Sequence, residues 1–427
     1  MPTARSITPW DGAVALDAPA ATRWILGQLE PKAPIQVPLS ASCGLVLATD
    51  AISTEPSPAF DTSAMDGYAL HQESGSPNGW RVIGCSLAGD EFVGAVTRGE
   101  AVRIMTGARV PHGVDAVAPL EVVDEHDAFV TLRGELAAGS NIRRAGSDHP
   151  AGAVVVDWGT RLTPMHLAVL ASIGHDRPRV VPRARVGVLS TGDEVERAVP
   201  APSGIRDANR PGLLSLLAAS GEVPVDLGVV GDDHVALRHR LEQAVDECDA
   251  VITTGGVSVG DHDHVKRVLS EAARSTGGVA RWMRVAVRPA KPLMFAAIRG
   301  VPVFGLPGNP ASAFVSYHLF ARPALDRLAG HRDGASMSSF TATASVDFPR
   351  RPDGRLHVVP VVASIAGAVL SIRPAGPGQR HHLAATAGAN AYAYLPDGSA
   401  VSAGATLHCG WIAGTNIPAS RVSSSFR

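Results

Sequence analysis

The strongest constraint on this chain is a glycine-rich turn at residues 253–263, Thr-Thr-Gly-Gly-Val-Ser-Val-Gly-Asp-His-Asp, set between an apolar run and a helical pattern. The run that enters it, 250–253, and a second at 301–306 show no polar alternation. Strands that apolar are buried on both faces, as in a mostly parallel sheet covered by helices. Runs at 184–190, 223–230, 249–254 and 301–306 read as strands, and 209–220, 234–247, 262–275 and 310–329 as helices. In such a sheet, ligands sit outside the carboxyl ends of the strands. Glycines there let backbone N–H groups approach an anion, and the following helix adds partial positive charge. The turn is neither GxxxxGK[ST] nor GxGxxG, so it matches no standard nucleotide loop. It predicts an anionic, phosphate-bearing ligand, with a plain strand-to-helix turn as the alternative.

Three more strand ends point to the same edge: Ser190-Thr191-Gly192-Asp193-Glu194, Gly231-Asp232-Asp233, and Gly305-Leu306-Pro307-Gly308-Asn309-Pro310. The edge therefore gathers Asp193, Glu194, Asp232, Asp233, Asp261 and Asp263. Carboxylates beside a phosphate suit a hard divalent ion between them, although some would serve as helix N-caps. Arg288-Pro289-Ala290-Lys291 follows a strand expected at 283–287. Its two cations, stiffened by proline, suit an oxyanion or form a surface charge pair. Lysine occurs only at Lys32, Lys266 and Lys291. Asp261-His262-Asp263-His264 does not read as a transition-metal site, because alternate residues at a helix start converge poorly on one ion.

Elsewhere the patterns differ. A helix is expected over 14–30, ended by Pro31 and Pro34. Residues 35–160 hold short β-rich runs between Gly, Pro, Asn and Asp turns, then a capped helix at 163–174. After Gly330 the chain is β-like again to about 412. A chain of 427 residues is too long for one compact core. Its net charge of −2 argues against a nucleic-acid partner. Four scattered cysteines, no signal-like start and no long apolar window predict a cytoplasmic protein without a membrane span.

The blocks FDTSAMDGYA (60–69), RIMTGA (103–108), NIRRAG (141–146), STGDE (190–194), TTGGVSVGD (253–261) and GLPGNP (305–310) occur in this order. Together they resemble the MoeA family, the molybdopterin molybdenumtransferases, related to the carboxy-terminal half of gephyrin. The resemblance implies an α/β plus β fold in an elongated multidomain chain. Its central three-layer α/β, molybdopterin-binding domain would take 8–28 plus 181–330. A connecting domain would take 29–48 plus 150–180, a β-rich inserted domain 49–149, and a C-terminal β-barrel-like domain 331–415. It implies a homodimer, with an adenylyltransferase as a further partner. The implied reaction inserts molybdate into adenylylated molybdopterin, with Mg2+-assisted release of AMP. On matching positions, Asp61 and Thr106 would serve the partner subunit's active site. Glu194, Asp232 and Asp263 would be the catalytic and metal carboxylates. Gly255, Gly256, Ser258, Pro307, Gly308 and Asn309 would cradle the pterin phosphate or nucleotide, and Arg288 and Lys291 would hold molybdate.

Two departures stand out. The family commonly has Lys-Pro-Gly-Lys where this chain has Arg288-Pro289-Ala290-Lys291, and a Ser-Ser pair where it has Arg380-His381. The alternative is a non-catalytic molybdopterin-binding or scaffold paralogue with an altered oxyanion pocket.

Overall fold

The computed structural model describes residues 15–72, 79–195, 204–257, 264–332, 339–366, 369–376 and 383–415. The first helix, α1 (Ala18–Leu26), is shorter than the expected 14–30. Asp17 caps it by accepting from the Ala20 amide at 2.6 Å, with proline in the first turn, and Gly27 closes it. Its buried face, Ala18, Ala21 and Ile25, packs on the α/β core, and Trp24 stands edge-on to Phe295 at 5.7 Å.

Residues 35–181 form small antiparallel pieces around one larger sheet. Its six strands run in the order Ala116–Pro119, Gly67–Leu70, Glu100–Ile104, Trp80–Ser86, Phe129–Leu132, Val123–His126. The helix α2 (Pro164–Ser172) starts with Thr163 and His166 in reciprocal caps, as the Thr-Pro start predicts.

The α/β unit is built from β1 (Arg185–Thr191), α3 (Asn209–Ser220), β2 (Val223–Val230), α4 (His234–Glu247), β3 (Ala250–Thr254), α5 (His264–Ser275), β4 (Val279–Arg284), β5 (Pro292–Ile298), β6 (Val301–Leu306), α6 (Pro310–Ser316) and α7 (Arg322–Leu328). The strand order is β2-β1-β3-β6-β5-β4, with β2, β1, β3 and β6 parallel. The antiparallel β5 and β4 complete one edge. Successive residues of β3 feed two cores: Ala250 and Ile252 face α1, α3, α6 and α7, while Val251 faces α4 and α5. That alternation makes three layers and explains the unbroken apolar strands.

Two expectations need correction. The helix over 310–329 is not uniform: a π-turn at Tyr317–Ala321 joins α6 to α7. The strand expected at 283–287 is split. The Leu16 amide donates to the Arg284 carbonyl, Leu16 bridges to Val285, and the chain restarts as the two-residue strand Val287–Arg288. The stretch at Leu16 intrudes there and takes the backbone groups that a continuous strand would use.

After 330, five strands close on themselves: Leu356–Ala366, Val369–Pro374, Ser339–Ala344, Thr406–Trp411 and Ala391–Leu395, with the last pairing back to the first. This barrel has its own core around Phe348, Val361 and Leu395. Val287–Arg288 adds to it in parallel, beside Leu356 and His357, and so ties the α/β unit to the barrel.

Candidate functional site

Three glycine turns meet at the carboxyl edge of β1, β3 and β6. Gly255 lies at φ 97° and donates its amide to the Leu306 carbonyl at 3.1 Å. A Cβ on it would stand 2.5 Å from the Thr191 carbonyl oxygen, so no other residue fits without moving backbone. Gly256, at φ 62°, continues the turn. Gly308 lies beside Gly255, and a Cβ on it would stand 3.5 Å from the Gly255 Cα, an ordinary contact. Below them, buried hydroxyls lock the strands: Thr191 Oγ1 donates to the Thr254 carbonyl at 3.2 Å, and Thr253 Oγ1 to the Phe304 carbonyl at 3.4 Å. Pro307 is buried, whereas Gly308 and Asn309 are exposed. Asn309 caps α6, with Pro310 in its first turn.

The acidic turns are joined by a reciprocal pair. The Asp232 amide donates to Asp193 Oδ1 at 3.0 Å and the Asp193 amide to Asp232 Oδ2 at 3.4 Å. Asp233 caps α4 at 2.6 Å, so it is a helix cap and not a free ligand. The Glu194 carboxylate folds over Gly192, where a Cβ would meet it at 2.4 Å. Among the described residues, neither Glu194 nor Asp232 has a basic partner. Exposed oxygen donors of that kind suit a hard divalent cation. Among the described residues no group of three or more His, Cys, Asp or Glu is placed to hold a metal. The third expected carboxylate, Asp263, and the expected cradle residue Ser258 lie outside the described residues, as do Asp261, Arg380 and His381.

Arg288 is held by its backbone against the barrel and reaches Asp353 at 3.5 Å. Arg350, Arg355 and His357 also surround Asp353, at 3.9, 4.0 and 3.0 Å. Burial alone would raise the Asp353 carboxyl, but His357, Arg355 and Arg288 together hold it below the usual carboxylate range. Asp353 and Asp397 thus face several cations. Lys291 is exposed and, among the described residues, has no carboxylate partner. The sequence reading missed this basic turn. Its signal was present in Arg350-Arg351-Pro352-Asp353-Gly354-Arg355, but only the pairing of Arg288 with His357 shows that the turn belongs beside Arg288.

Asn209 was also missed. It starts α3, is 7% exposed, and donates its side-chain amide to the Gly308 carbonyl at 2.8 Å, while its own Oδ1 is buried without a partner. The polar run Arg206-Asp207-Ala208-Asn209-Arg210 at a helix start was the available signal.

The first-half blocks converge as a separate cluster. Strand Gly67–Leu70 pairs with Glu100–Ile104, and Ile142 pairs with Ser63. Asp61 accepts from Arg144 Nη1 at 2.6 Å and from the Ala145 amide at 2.8 Å. Burial works against its charge, but those two donors outweigh it and lower its pKa. The Thr106 hydroxyl and amide both donate to Asp66 Oδ1 at 2.7 Å, which lowers the Asp66 pKa. Among the described residues, no hydrogen bond or ion pair links Asp61, Asp66 or Thr106 to the glycine turns.

Residues 16–174 match the family model described as the MoeA N-terminal region, domains I and II, and residues 187–327 match a probable molybdopterin binding domain. A molybdopterin molybdenumtransferase of Haemophilus influenzae is 37% identical over 325 residues, covering 74% of this chain and 78% of that protein. Molybdopterin molybdenumtransferase 2 of Mycobacterium tuberculosis is 36% identical over 377 residues, covering 85% and 91%. The chain belongs to the MoeA family. Its fold follows a solved MoeA molybdopterin biosynthesis protein of Pyrococcus horikosii, with a TM-score of 0.77 and 26% identity over 94% of this chain and all of the other. The match to the probable molybdopterin binding domain at 187–327 spans all three glycine turns, Asn209 and the acidic pair. The MoeA N-terminal match at 16–174 spans the Asp61–Thr106 cluster. Family membership gives the chain a place among the enzymes of molybdenum cofactor biosynthesis. Among the described residues no helix is long and apolar enough to cross a membrane.

Proposed function

We propose that this chain inserts molybdate into adenylylated molybdopterin and releases AMP, in the cytoplasm. The observation that carries the reading is that the Gly255 and Gly308 turns lie side by side at one strand edge, with no side chain on either and Gly308 exposed, which leaves backbone for a phosphate to approach. Gly255, Gly256, Pro307, Gly308 and Asn309, with Ser258, cradle the phosphate or nucleotide of the substrate, and Asn209 positions the Gly308 turn. Glu194, Asp232 and Asp263 hold Mg2+, which would neutralise charge on the phosphoanhydride. Arg288 and Lys291, backed by Arg350, Arg355 and His357, hold the molybdate dianion. The surplus of cations around Asp353 and Asp397 supports that assignment.

Asp61 and Thr106 act in the site of a second copy, in a homodimer that also receives substrate from an adenylyltransferase. Their separation from the glycine turns supports a contribution in trans. Thr106 is spent on Asp66, so Asp66 joins Asp61 as a charged group of that cluster.

The test is single-turnover AMP release from adenylylated molybdopterin with molybdate and Mg2+. Purified protein that binds the adenylylated pterin yet releases no AMP would refute the proposal and favour a storage or scaffold role.

A further inference from the structure

A cavity of about 350 Å3 lies away from the glycine turns, where α3, the α6–α7 helix and the barrel meet. Its size falls near the lower end of small-molecule pockets, roughly 300–1,000 Å3. Rings from Phe314, Tyr317, Tyr392 and Trp411 form much of its wall, with Leu216 and Ile412 beside them. Two arginines face it, and they differ. Arg322 is neutralised by Glu222 at 2.9 and 3.1 Å and by Asp326. Arg161 donates to the Gly44 carbonyl and lies 3.2 Å from His331 Nε2, and among the described residues it has no carboxylate partner. Burial, the largest effect, and the neighbouring Arg322 charge disfavour its cation, while the carboxylates of Glu222 and Asp326 support it from beyond hydrogen-bonding distance. A carboxylate reaching the guanidinium would offset that cost with a direct ion pair. The Tyr392 hydroxyl is the other unused group. Tyr392 is 5% exposed, and among the described residues its hydroxyl makes no hydrogen bond. His318, by contrast, is already committed to the Tyr394 hydroxyl at 2.8 Å.

We propose that this cavity binds a small planar aromatic carboxylate, its ring among Phe314, Tyr392 and Trp411 and its carboxylate on Arg161. A single cation with no direct carboxylate partner among the described residues, and with two carboxylates nearby, fits a monoanion better than phosphate or molybdate, and the ring walls favour an unsaturated body over an aliphatic one. Such a ligand would join Arg161, the helices and the barrel, so binding stabilises the full chain through mass action.

The experiment is calorimetry and thermal melting of the full-length protein with benzoate, nicotinate and indole-3-carboxylate, each beside its neutral amide, and with inorganic phosphate. The expected result is one site per chain for at least one carboxylate, a raised Tm, and binding at least about tenfold weaker for the amide. Arg161→Gln should weaken binding by a similar factor, Tyr392→Phe by less, and Leu216→Trp should abolish it by filling the space. The proposal is overturned if none of the carboxylates binds. It is equally overturned if binding survives Leu216→Trp, which would place the ligand at the Arg288 cations, or if phosphate competes as well as the carboxylates. Because Arg161→Gln removes two structural hydrogen bonds, Leu216→Trp and Tyr392→Phe, which leave them intact, keep the test decisive should that variant fold poorly.

Discussion

Position 290 is where a single side chain works against its backbone. Ala290 sits at φ 88°, a region that suits glycine, and is buried beside the Arg288 junction. Ala290→Gly should therefore stabilise the protein by about 1 kcal/mol, read as a higher denaturant midpoint, because relief of left-handed strain outweighs the added unfolded-state entropy. A lower midpoint would mean that the methyl group's packing dominates. At the acidic edge, Glu194→Gln and Asp232→Asn keep size and remove charge. Each should slow AMP release by about 100-fold or more while leaving affinity for the adenylylated pterin within a few-fold. A pure binder would show no loss of turnover, since it has none. Residue types made these carboxylates legible, because acids at strand ends beside glycine turns imply a counter-ion. They did not distinguish Asp233, a cap, from Asp232, because both are acids and only the hydrogen bond to Ala236 separates them.

Among elements, the turns divide into those that make the fold and those that face a ligand. Gly255 cannot accept a Cβ without moving the Thr191 carbonyl, so Gly255→Ala should destabilise the protein by about 2 kcal/mol or more. Gly308 has only ordinary contact distance around its Cβ position and lies exposed. Gly308→Ala should leave the melting temperature nearly unchanged yet weaken binding of the nucleotide-bearing substrate by about tenfold, if the ligand's phosphate needs that backbone. Equal affinity in a calorimetric titration would remove Gly308 from the cradle. The parallel strands were legible because burial on both faces leaves an unmistakable apolar run. The barrel strand Ser339–Ala344 was not, since Ser-Phe-Thr-Ala-Thr-Ala carries little β-branched apolar signal and depends on its partners for stability. The split at residues 285–286 was equally hidden, because the segment that interrupts it lies about 270 positions away in the sequence.

For the molecule as a whole, the separation of two charged clusters makes a strong prediction. If Asp61 serves the partner's site, Asp61→Asn and Glu194→Gln should each be inactive alone, and mixed dimers should regain activity. A random mixture would recover roughly a quarter of the wild-type rate, since half the dimers are mixed and each has one intact site. No recovery would put both residues in one chain's site. The barrel's docking should depend on pH through His318, which lies in the π-turn against Tyr392 and Tyr394. Burial, aided by the Arg322 charge, pushes its pKa from 6.5 down to about 4. The folded form thus stays neutral while the unfolded chain takes up a proton. Stability is complete above 6.5 and falls by about 1.4 kcal/mol per pH unit between 6.5 and 4. Denaturant titrations over that range should show the slope, and His318→Phe should flatten it.

The closed ring of the C-terminal barrel also shifts where self-association can begin. Among the described residues the ring leaves no strand unpaired, and the extension it accepts, Val287–Arg288, is supplied by its own chain. The exposed pairing capacity of this half of the molecule therefore rests on the outer strands of the α/β sheet. On one of them, β2, Pro224 withholds a donor, Asp226 brings charge, and the register slips near Gly228. A chain carrying those three features resists edge-to-edge aggregation at β2, and replacing Pro224 and Asp226 by valine would expose the protein to fibril-like assembly.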